Sequence, residues 1–284
     1  MQGANSGIGL ALTKQLVRDH GCHVYLGSRN AQRGAAAVDQ VKKSSGGGGS
    51  VELLQIDVSS DESVVKAARE LSGRLGEGNH LDAIVNNAGT GFRLGLLFFF
   101  SRASTTRSKN RLTIILSLWF SSHNASPAEI LDTNARGPGR VVDSFLPMLK
   151  KNGRIVNVGS GAGPMYFDIL ATREEKLKFT RPMSRDDVES EIRSIESSGD
   201  GFEAYAGSKA LLACYTMHLA ESHGPSGLTV SAITPGFIAT SMTSGMGASK
   251  SPDEGTVSIK RCLFDDLPGN GYFYGSDGLR SPLQ

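Results

Sequence analysis

The pattern of hydrophobic and polar positions predicts helices that alternate with short buried strands. Near the start of the chain, Ile8, Leu12 and Leu16 recur at helical spacing, and an apolar run follows at once. The same pattern predicts helices at 7–20, 31–43, 61–75, about 128–150 and 203–223, and strands at 22–26, 51–56, 81–85, 153–158, 228–233 and 271–274. Such alternation over short connections forms parallel βαβ units. The sequence therefore predicts an α/β fold in one domain over residues 1–284, a Rossmann-type doubly wound parallel sheet.

Three segments interrupt this alternation. Residues 44–50 read SSGGGGS and predict a flexible surface loop. Residues 90–128 contain no Asp or Glu, lack a clear period and predict an irregular insertion. Two interpretations of that insertion stay open: a poorly ordered segment, or contact with a membrane surface through the apolar runs 94–100 and 112–120. Residues 164–201 are charged and helical in period, and they predict an excursion beside an active site.

Charge and cysteine content exclude several classes of protein. Lys and Arg number 30 against 28 Asp and Glu, so the formal net charge of +2 does not favour nucleic-acid binding. Cys22, Cys214 and Cys262 are scattered, which predicts neither a disulfide framework nor a metal site and favours a reducing cytoplasm. No run reaches the roughly 18 apolar residues of a membrane-spanning helix. We therefore expect no integral membrane span and a cytoplasmic protein.

A glycine-rich motif opens the first predicted helix. Residues 3–9 read GANSGIG, which places backbone N–H groups and the positive end of a helix where a pyrophosphate can bind. An ordinary glycine-rich turn is the alternative interpretation. The candidate cofactor-binding residues of the motif are Gly3, Asn5, Ser6, Gly7, Ile8 and Gly9.

The residues after the next predicted strand indicate which dinucleotide would bind. Dinucleotide-binding folds that take NAD place an acidic residue about 20 positions after the glycines, where it binds the ribose hydroxyls. This chain has Ser28 and Arg29 there and no acid. Because a guanidinium binds a phosphate with two hydrogen bonds, Arg29 favours NADP(H). The alternative is that Arg29 is an ordinary solvated side chain.

A tyrosine and a lysine stand four residues apart in the long helix predicted at 203–223. Tyr205 and Lys209 therefore lie about one turn apart on one helix face. A neighbouring cation favours the phenolate, so we expect Lys209 to lower the pKa of Tyr205 and to make it a proton donor and acceptor. Ser160 follows the strand predicted at 153–158, at the edge where open α/β sheets bind ligands.

Taken together, the motifs resemble the short-chain dehydrogenase/reductase family, in the family's own sequence order. The resemblance covers nearly the whole chain outside residues 90–128. Within the family the chain looks most like the monomeric carbonyl reductases, because of GANSGIGLAL at the start, the long interval between Ser160 and Tyr205, and SKSPDEG at 249–255. The motifs that carry it are the glycine loop, Asp57-Val58, Asn86-Asn87-Ala88-Gly89, Asn134, Ser160, Tyr205 with Lys209, and Pro235-Gly236-Phe237-Ile238-Ala239-Thr240.

The resemblance implies a catalytic role for each of four residues. Tyr205 would protonate the carbonyl oxygen of a substrate while the nicotinamide delivers hydride to the carbon, and Ser160 would hydrogen-bond the same oxygen. Lys209 would lower the pKa of Tyr205 and bind the ribose hydroxyls. Asn134 would hold a water that connects Lys209 to bulk solvent.

The resemblance also implies contacts with the cofactor. Asp57 would contact the adenine, Ile238 would line the nicotinamide, and Thr240 would meet the carboxamide end. Residues 87–89 would contact the adenosine ribose. Beyond the glycine loop, the implied cofactor-binding residues are Ser28, Arg29, Asp57, Val58, Asn87, Ala88, Gly89, Tyr205, Lys209, Pro235, Gly236, Ile238 and Thr240.

The chain departs from the family pattern in two places. An apolar strand precedes the glycine loop in the family, whereas this sequence has two residues before Gly3. That strand is central in the sheet, so without it we expect unpaired backbone groups on two interior strands, each costing roughly 1–3 kcal/mol when buried. Residues 112–118 are strand-like and are one candidate to fill the gap. Ser6 stands where carbonyl reductases often have a basic residue, which weakens the preference for NADP(H) that Arg29 indicates.

These observations predict an NADPH-dependent oxidoreductase that reduces a small-molecule ketone, aldehyde or quinone to an alcohol. Two alternatives stay open: a catalytically silent NADP-binding or scaffold protein, and an enzyme that works in the direction of alcohol oxidation. We expect a monomer, because the excursion at 164–201 resembles the segment that covers the pairing surface in monomeric carbonyl reductases.

Overall fold

The computed structural model describes residues 1, 3–46, 48–91, 125–198 and 200–281. Helices and strands alternate along them. The helices are α1 Gly7–His20, α2 Ala31–Ser44, α3 Asp61–Leu75, α4 Pro127–Leu131, α5 Gly137–Phe145, α6 Ala162–Ile169, α7 Arg173–Lys178, α8 Arg185–Ser198, α9 Gly201–His223 and α10 Val257–Phe264. The strands are β1 His23–Ser28, β2 Ser50–Gln55, β3 Leu81–Asn86, β4 Leu149–Val158, β5 Thr229–Ile233 and β6 Phe273–Tyr274.

All pairs of neighbouring strands are parallel, which confirms the predicted α/β fold. The described strands form two sheets, one with the order β1-β2 and one with the order β3-β4-β5-β6. In the first sheet Val24 pairs with Val51, and in the second Ile155 pairs with both Ile84 and Val230. Parallel pairing brings the carboxyl ends of the strands within each sheet to one edge.

The start of the chain hydrogen-bonds to the free side of β1. The Met1 nitrogen donates to the Tyr25 carbonyl oxygen at 3.0 Å, and the Gly27 nitrogen donates to the Met1 carbonyl oxygen at 2.7 Å. The Ala4 nitrogen then donates to the Gly27 carbonyl oxygen at 3.1 Å. Among the described residues no strand pairs with both β1 and β3. This is the position in which the pattern of the resembled family has the strand that precedes the glycine loop. The candidate for that position at 112–118 lies outside the described residues.

Two hydrophobic clusters pack on opposite faces of the strands. Successive side chains of a strand point to opposite faces, and Ile155 and Val156 of β4 accordingly belong to different clusters. One cluster joins Leu12 of α1 and Leu26 of β1 to Val156, so it spans both sheets. The other contains the buried faces of α3, α5, α8 and α9. Side-chain packing therefore connects the two sheets where backbone pairing does not.

The helix predicted at 128–150 is wrong as a single element. Helix α4 begins at Pro127 with a capping box between Ser126 and Glu129, and a π-helical turn at Asp132–Arg136 separates it from α5. Residues 149–150 belong to strand β4, since Leu149 pairs with Leu81 across a register shift. This long-range pairing overrides the local helical pattern. Helix α10 was not predicted.

The glycine-rich segment at 44–50 makes a close contact. A Cβ atom on Gly49 would lie 2.3 Å from the Cys22 carbonyl oxygen, and that oxygen accepts a hydrogen bond from the Ser50 nitrogen at 3.1 Å. The carboxyl end of this segment is therefore packed against Cys22, where only glycine fits, and the flexibility of the loop stays a prediction.

The excursion at 164–201 contains the end of α6 and the whole of α7 and α8. Ile192 and Ile195 of α8 are buried in the cluster that includes α9. Helix α8 thus covers part of α9. No helix among the described residues is long and apolar enough to cross a membrane.

Candidate active site

The predicted site residues gather at the carboxyl ends of the strands and at the start of α1. Arg29 follows β1, the segment 87–89 follows β3, and Ser160 follows β4. The first turn of α1 reaches the segment after β5, because a Cβ atom on Gly7 would lie 3.2 Å from Cγ2 of Thr240. The topology therefore brings residues that are far apart in sequence to one edge.

The glycine loop is shaped to hold an anionic group. Gly3 and Gly7 have φ angles of +61° and +53°, which favour glycine. A Cβ atom on Gly9 would lie 2.4 Å from the Gly3 carbonyl oxygen, so a side chain does not fit there. Ser6 is the N-cap residue of α1, yet its side chain makes no capping hydrogen bond, and the first turn contains no acid. Backbone N–H groups at this helix end are thus available to a pyrophosphate.

The segment after β3 connects the glycine loop to the catalytic candidates. Nδ2 of Asn87 donates to the Gly3 carbonyl oxygen at 3.0 Å. A Cβ atom on Gly3 would lie 2.8 Å from Cα of Ala88. On the other side, a Cβ atom on Gly89 would lie 3.4 Å from Oδ1 of Asn134 and 3.7 Å from Nζ of Lys209. The close approach of this backbone therefore requires glycine at positions 3 and 89.

Tyr205, Lys209 and Ser160 meet at the amino-terminal half of α9. Lys209 is 6% exposed, its Nζ donates to the Val158 carbonyl oxygen at 3.0 Å, and it lies 5.9 Å from the centre of the Tyr205 ring. Ser160 lies close enough to Tyr205 to lower the pKa of its phenol. The expected proximity of the three side chains is present.

Burial controls the protonation of this group. It lowers the pKa of Lys209 to about 8 and raises the pKa of Tyr205, while Ser160 lowers the pKa of Tyr205 in part. The net shift of the Tyr205 pKa is therefore upward, with burial as its largest cause. The Lys209 ammonium lies beside the ring and donates to the Val158 carbonyl oxygen, and its expected lowering of the Tyr205 pKa stays a prediction.

Asn134 lies in the π-helical turn and is completely buried. Its Oδ1 accepts from the Thr90 nitrogen at 2.9 Å, and its Nδ2 donates to the Thr90 carbonyl oxygen at 2.9 Å. Nδ2 also donates to Oγ of Ser208 at 3.2 Å, and that hydroxyl donates to the Tyr205 carbonyl oxygen at 2.7 Å. The side chain thus ties the end of the β3 segment to α9. The water that the resemblance implies at Asn134 stays a prediction.

The candidates for nucleotide recognition differ in exposure. Ser28 is buried and its hydroxyl donates to the Asn30 carbonyl oxygen at 2.9 Å, whereas Arg29 is exposed. No acid in the described part of the chain forms an ion pair with Arg29. Its guanidinium is therefore available to a phosphate.

The two candidates after β2 are occupied by contacts within the protein. Oδ1 of Asp57 accepts from the Ser59 nitrogen at 3.1 Å and from the Ser59 hydroxyl at 2.7 Å. Val58 is buried, and its Cγ2 would lie 3.0 Å from a Cβ atom on Gly137 at the start of α5. The side chain of Val58 therefore packs under α5, which leaves Asp57 as the more accessible of the two.

The segment after β5 folds over the first turn of α1. Gly236, which follows Pro235, has a φ angle of +86°, and a Cβ atom there would lie 2.9 Å from Cβ of Ser276. Ile238 is 2% exposed. A Cβ atom on Gly255 would lie 3.0 Å from Cγ1 of Ile238 and 3.1 Å from Cγ1 of Ile8. The SPDEG motif therefore supports two candidate cofactor-binding residues.

Sequence reasoning missed three residues that organise the site. Thr90, Ser208 and Gly255 contact candidate residues but were not predicted to. Ser208 directly precedes Lys209, and Gly255 belongs to a motif already identified, so both had a signal in the sequence. Thr90 had none, because it begins a segment without period.

The chain matches known proteins along most of its length. The family model described as short chain dehydrogenase matches residues 1–172, and one described as enoyl-(acyl carrier protein) reductase matches residues 187–259. Salutaridine reductase of Papaver bracteatum is 30% identical over 302 residues, which cover 98% of this chain and 93% of that protein. Carbonyl reductase [NADPH] 1 of Bos taurus is 29% identical over 270 residues, covering 89% and 85%.

A solved structure supports the fold. The crystal structure of NADPH bound carbonyl reductase from chicken fatty liver superposes with a TM-score of 0.64 at 22% identity and covers 99% of this chain and 96% of that one. The first family model alone covers more than half of the chain, and the sequence relatives include carbonyl reductases. The chain belongs to the short-chain dehydrogenase/reductase family of oxidoreductases.

Proposed function

We propose that this protein is an NADPH-dependent reductase that converts the carbonyl group of a small ketone, aldehyde or quinone to an alcohol. The observation that carries the proposal is the proximity of Tyr205 to Ser160 and to the buried Lys209. These side chains lie at the sheet edge that also holds the glycine loop, so a proton donor and a dinucleotide site share one location.

Tyr205 supplies the proton in this proposal. Burial raises the pKa of Tyr205, so the phenol keeps its proton at neutral pH and is a donor toward a carbonyl oxygen. Ser160 lies beside the phenol and would hydrogen-bond the same substrate oxygen. When bound, the nicotinamide cofactor supplies the hydride for the carbonyl carbon. The O–H bond of Tyr205 breaks as the new O–H bond of the alcohol forms.

Lys209 stabilises the charge that this proton transfer leaves behind. With a pKa of about 8, its ammonium is mostly protonated at neutral pH, and it lies 5.9 Å from the ring centre of Tyr205. A cation held in a dry site favours the phenolate without reorganisation during the reaction. Its hydrogen bond to the Val158 carbonyl oxygen fixes the ammonium in this position.

The residues of the nucleotide side fit NADPH. Arg29 is exposed at the carboxyl end of β1, and neither Ser28 nor Arg29 repels a 2′-phosphate. The glycine loop provides backbone N–H groups and close approach at Gly3 and Gly9. The bovine relative carries NADPH in its name, and the chicken carbonyl reductase was crystallised with NADPH bound, which supports the same choice here.

An assay of NADPH oxidation with an aliphatic ketone, an aromatic aldehyde and a quinone tests the proposal. The parent should consume NADPH with at least one of these probes, and Tyr205→Phe should lower kcat by roughly 10²–10⁴ because it removes the general acid. Tyr215→Phe is the matched control, since Tyr215 is a buried tyrosine of the same helix, α9. It should retain parental turnover.

The same assay identifies the alternatives. Tyr205→Phe with parental turnover contradicts the proposed proton donor. A folded parent that binds NADPH but consumes it with none of the probes contradicts carbonyl reduction and supports a silent binding protein. Thermal unfolding of each variant precedes the kinetics, so that lost turnover is not mistaken for lost folding.

A further inference from the structure

Helix α8 contacts the helix that carries Tyr205 and Lys209. Ile195 of α8 lies against Gly207 of α9: a Cβ atom built on Gly207 would lie 2.7 Å from Cδ1 of Ile195. Gly207 stands between Tyr205 and Lys209 in the sequence. On this side the contact is apolar, and Ile192 and Ile195 are buried. Helix α8 is therefore packed directly behind the catalytic segment of α9.

Beside this apolar face, α8 is joined to Arg136 by ion pairs. Nε and Nη2 of Arg136 donate to the two carboxylate oxygens of Glu189 at 2.7 and 2.9 Å, and Nη1 donates to Oε1 of Glu196 at 3.2 Å. The Arg136 side chain is 20% exposed. Arg136 holds the pKa of Glu189 below its usual range, so the pair stays charged at neutral pH. A bidentate pair with limited exposure has a fixed geometry, unlike a typical surface pair.

Arg136 is the last residue of the π-helical turn that carries Asn134. The turn spans Asp132–Arg136, and the Gly137 nitrogen donates to the Asp132 carbonyl oxygen, five residues back. Such a turn is rarer than a regular α-helix and is frequently found at functional sites. Contacts from outside the helix that hold it include those of Thr90 and Ser208 with Asn134 and those of the two glutamates with Arg136.

The junction between the turn and α8 is not closed by packed apolar side chains. A partly open cleft of about 120 Å³ lies there, and charged side chains form much of its lining, namely Arg136, Arg185, Asp186 and Glu189. Arg136 of the turn and Glu189 of α8 meet at this cleft, and their ion pair connects the two elements directly.

We infer that Arg136 is a positioning residue: its ion pairs with Glu189 and Glu196 hold the Asn134 turn against α8, and through α8 against the Tyr205–Lys209 segment. Three contacts connect the π-helical turn, α8 and α9 to one another. Asn134 bonds Ser208 of α9, Ile195 of α8 packs on α9, and Arg136 joins the turn to α8. The catalytic consequence of this arrangement rests on the proposed function.

Arg136→Met tests the inference, with Arg185→Met as the matched control. Arg185 also joins α8 to α5, through an ion pair with Asp143, and within the described part of the chain no hydrogen bond or ion pair joins it to Asp132–Arg136. Arg136→Met should lower kcat roughly tenfold, because small misplacements of catalytic groups are costly, and should leave the Kd of NADPH unchanged. The kcat of Arg136→Lys should lie between that of the parent and that of Arg136→Met, since lysine keeps the charge but cannot form the bidentate pair.

Amide hydrogen exchange at Thr90 gives a readout that does not depend on activity. The Thr90 nitrogen donates to Asn134, so its exchange should become faster in Arg136→Met and stay at the parental rate in Arg185→Met. The double variant Glu189→Gln/Glu196→Gln should reproduce the effect with Arg136 still present, which keeps the test open if Arg136→Met does not fold.

The outcomes separate the inference from the proposed function. Equal effects of Arg136→Met and Arg185→Met on Thr90 exchange would overturn the inference, and so would parental exchange and kcat in both. If the parent reduces no carbonyl probe, the proposed function fails, while Thr90 exchange still decides whether Arg136 holds the Asn134 turn.

Discussion

The two sheets of this protein support different parts of the site. Around the four-stranded sheet, Asn134 and Lys209 are buried and bonded to the protein itself, so their geometry is fixed before any ligand binds. At the two-stranded sheet, the group proposed to recognise the 2′-phosphate, Arg29, is exposed. The comparison teaches that the proposed catalytic groups are preorganised by burial, whereas the proposed choice of dinucleotide would depend on an exposed charge and on backbone N–H groups.

The connection between the two sheets is also of two kinds. Side chains of α1 pack across both sheets, and the loop at Gly3 accepts a hydrogen bond from Asn87. The glycine loop is therefore both the proposed pyrophosphate-binding element and a structural connection between the two sheets. Variants of the glycine loop should change both protein stability and cofactor affinity. Variants at Arg29 should change the preference between NADPH and NADH, and variants around Tyr205 should change turnover.

The largest combined effect on stability and cofactor binding is expected at the glycine loop. Gly9→Ala places a Cβ atom 2.4 Å from the Gly3 carbonyl oxygen and 2.7 Å from Nδ2 of Asn87. The loop must shift, so we expect the Kd of NADPH to rise on the order of 100-fold and the melting temperature to fall. Gly73→Ala in α3 is the control, because no atom lies within 4 Å of its Cβ position. Isothermal titration measures the Kd of NADPH, and thermal unfolding measures the melting temperature. A Gly9→Ala protein with the Kd and the melting temperature of the parent would show that the glycine loop neither binds the cofactor nor connects the two sheets.

A smaller and more selective effect is expected at the two-stranded sheet. Arg29→Asp removes the group proposed for the 2′-phosphate, and charged hydrogen bonds of about 1.5–3 kcal/mol correspond to a rise of roughly 10- to 100-fold in the Kd of NADPH. The Kd of NADH should change little. Arg69→Asp gives the same charge change on an exposed position of α3. Equal Kd values for NADPH and NADH in the parent would contradict the role of Arg29.

The smallest effect concerns the buried charge of Lys209 in the cofactor-free protein. Its folded pKa of about 8 lies below the value of 10.5 for an exposed lysine. Between these values the unfolded chain binds more protons, so the unfolding free energy of the parent should rise with pH relative to that of Lys209→Met. Urea unfolding at about pH 8 and about pH 10 should show this difference growing in favour of the parent, by on the order of 1–3 kcal/mol. A difference that does not change with pH would contradict the burial of a charged Lys209.

Local pattern was sufficient for several elements of the fold. Helices α1 and α3 have the predicted bounds, because apolar residues at helical spacing are ended by Gly21 and Gly76. The pattern failed where tertiary contacts decide the structure. The π-helical turn at Asp132–Arg136 depends on Thr90 and Ser208, which are 44 and 74 residues away from Asn134 in sequence.

The site could be predicted as a set of residues but not as a set of interactions. The motifs named Tyr205, Lys209 and Ser160, and the parallel sheet brings them together. Their protonation could not be predicted, because the spacing of Tyr205 and Lys209 shows their proximity but not the burial that opposes ionisation. The role of Arg136 was not predictable either, since its partners lie on α8, 53 and 60 residues further along the chain.

Transfer of a labelled hydride tests the central claim most directly. The protein is incubated with a carbonyl probe and NADPH that carries deuterium at the transferable position of the nicotinamide, and the product is analysed by mass spectrometry. We predict an alcohol that carries deuterium on the former carbonyl carbon, formed by the parent and by Tyr215→Phe but strongly reduced with Tyr205→Phe. An alcohol without deuterium, or no alcohol from a folded parent that binds NADPH, would contradict the account.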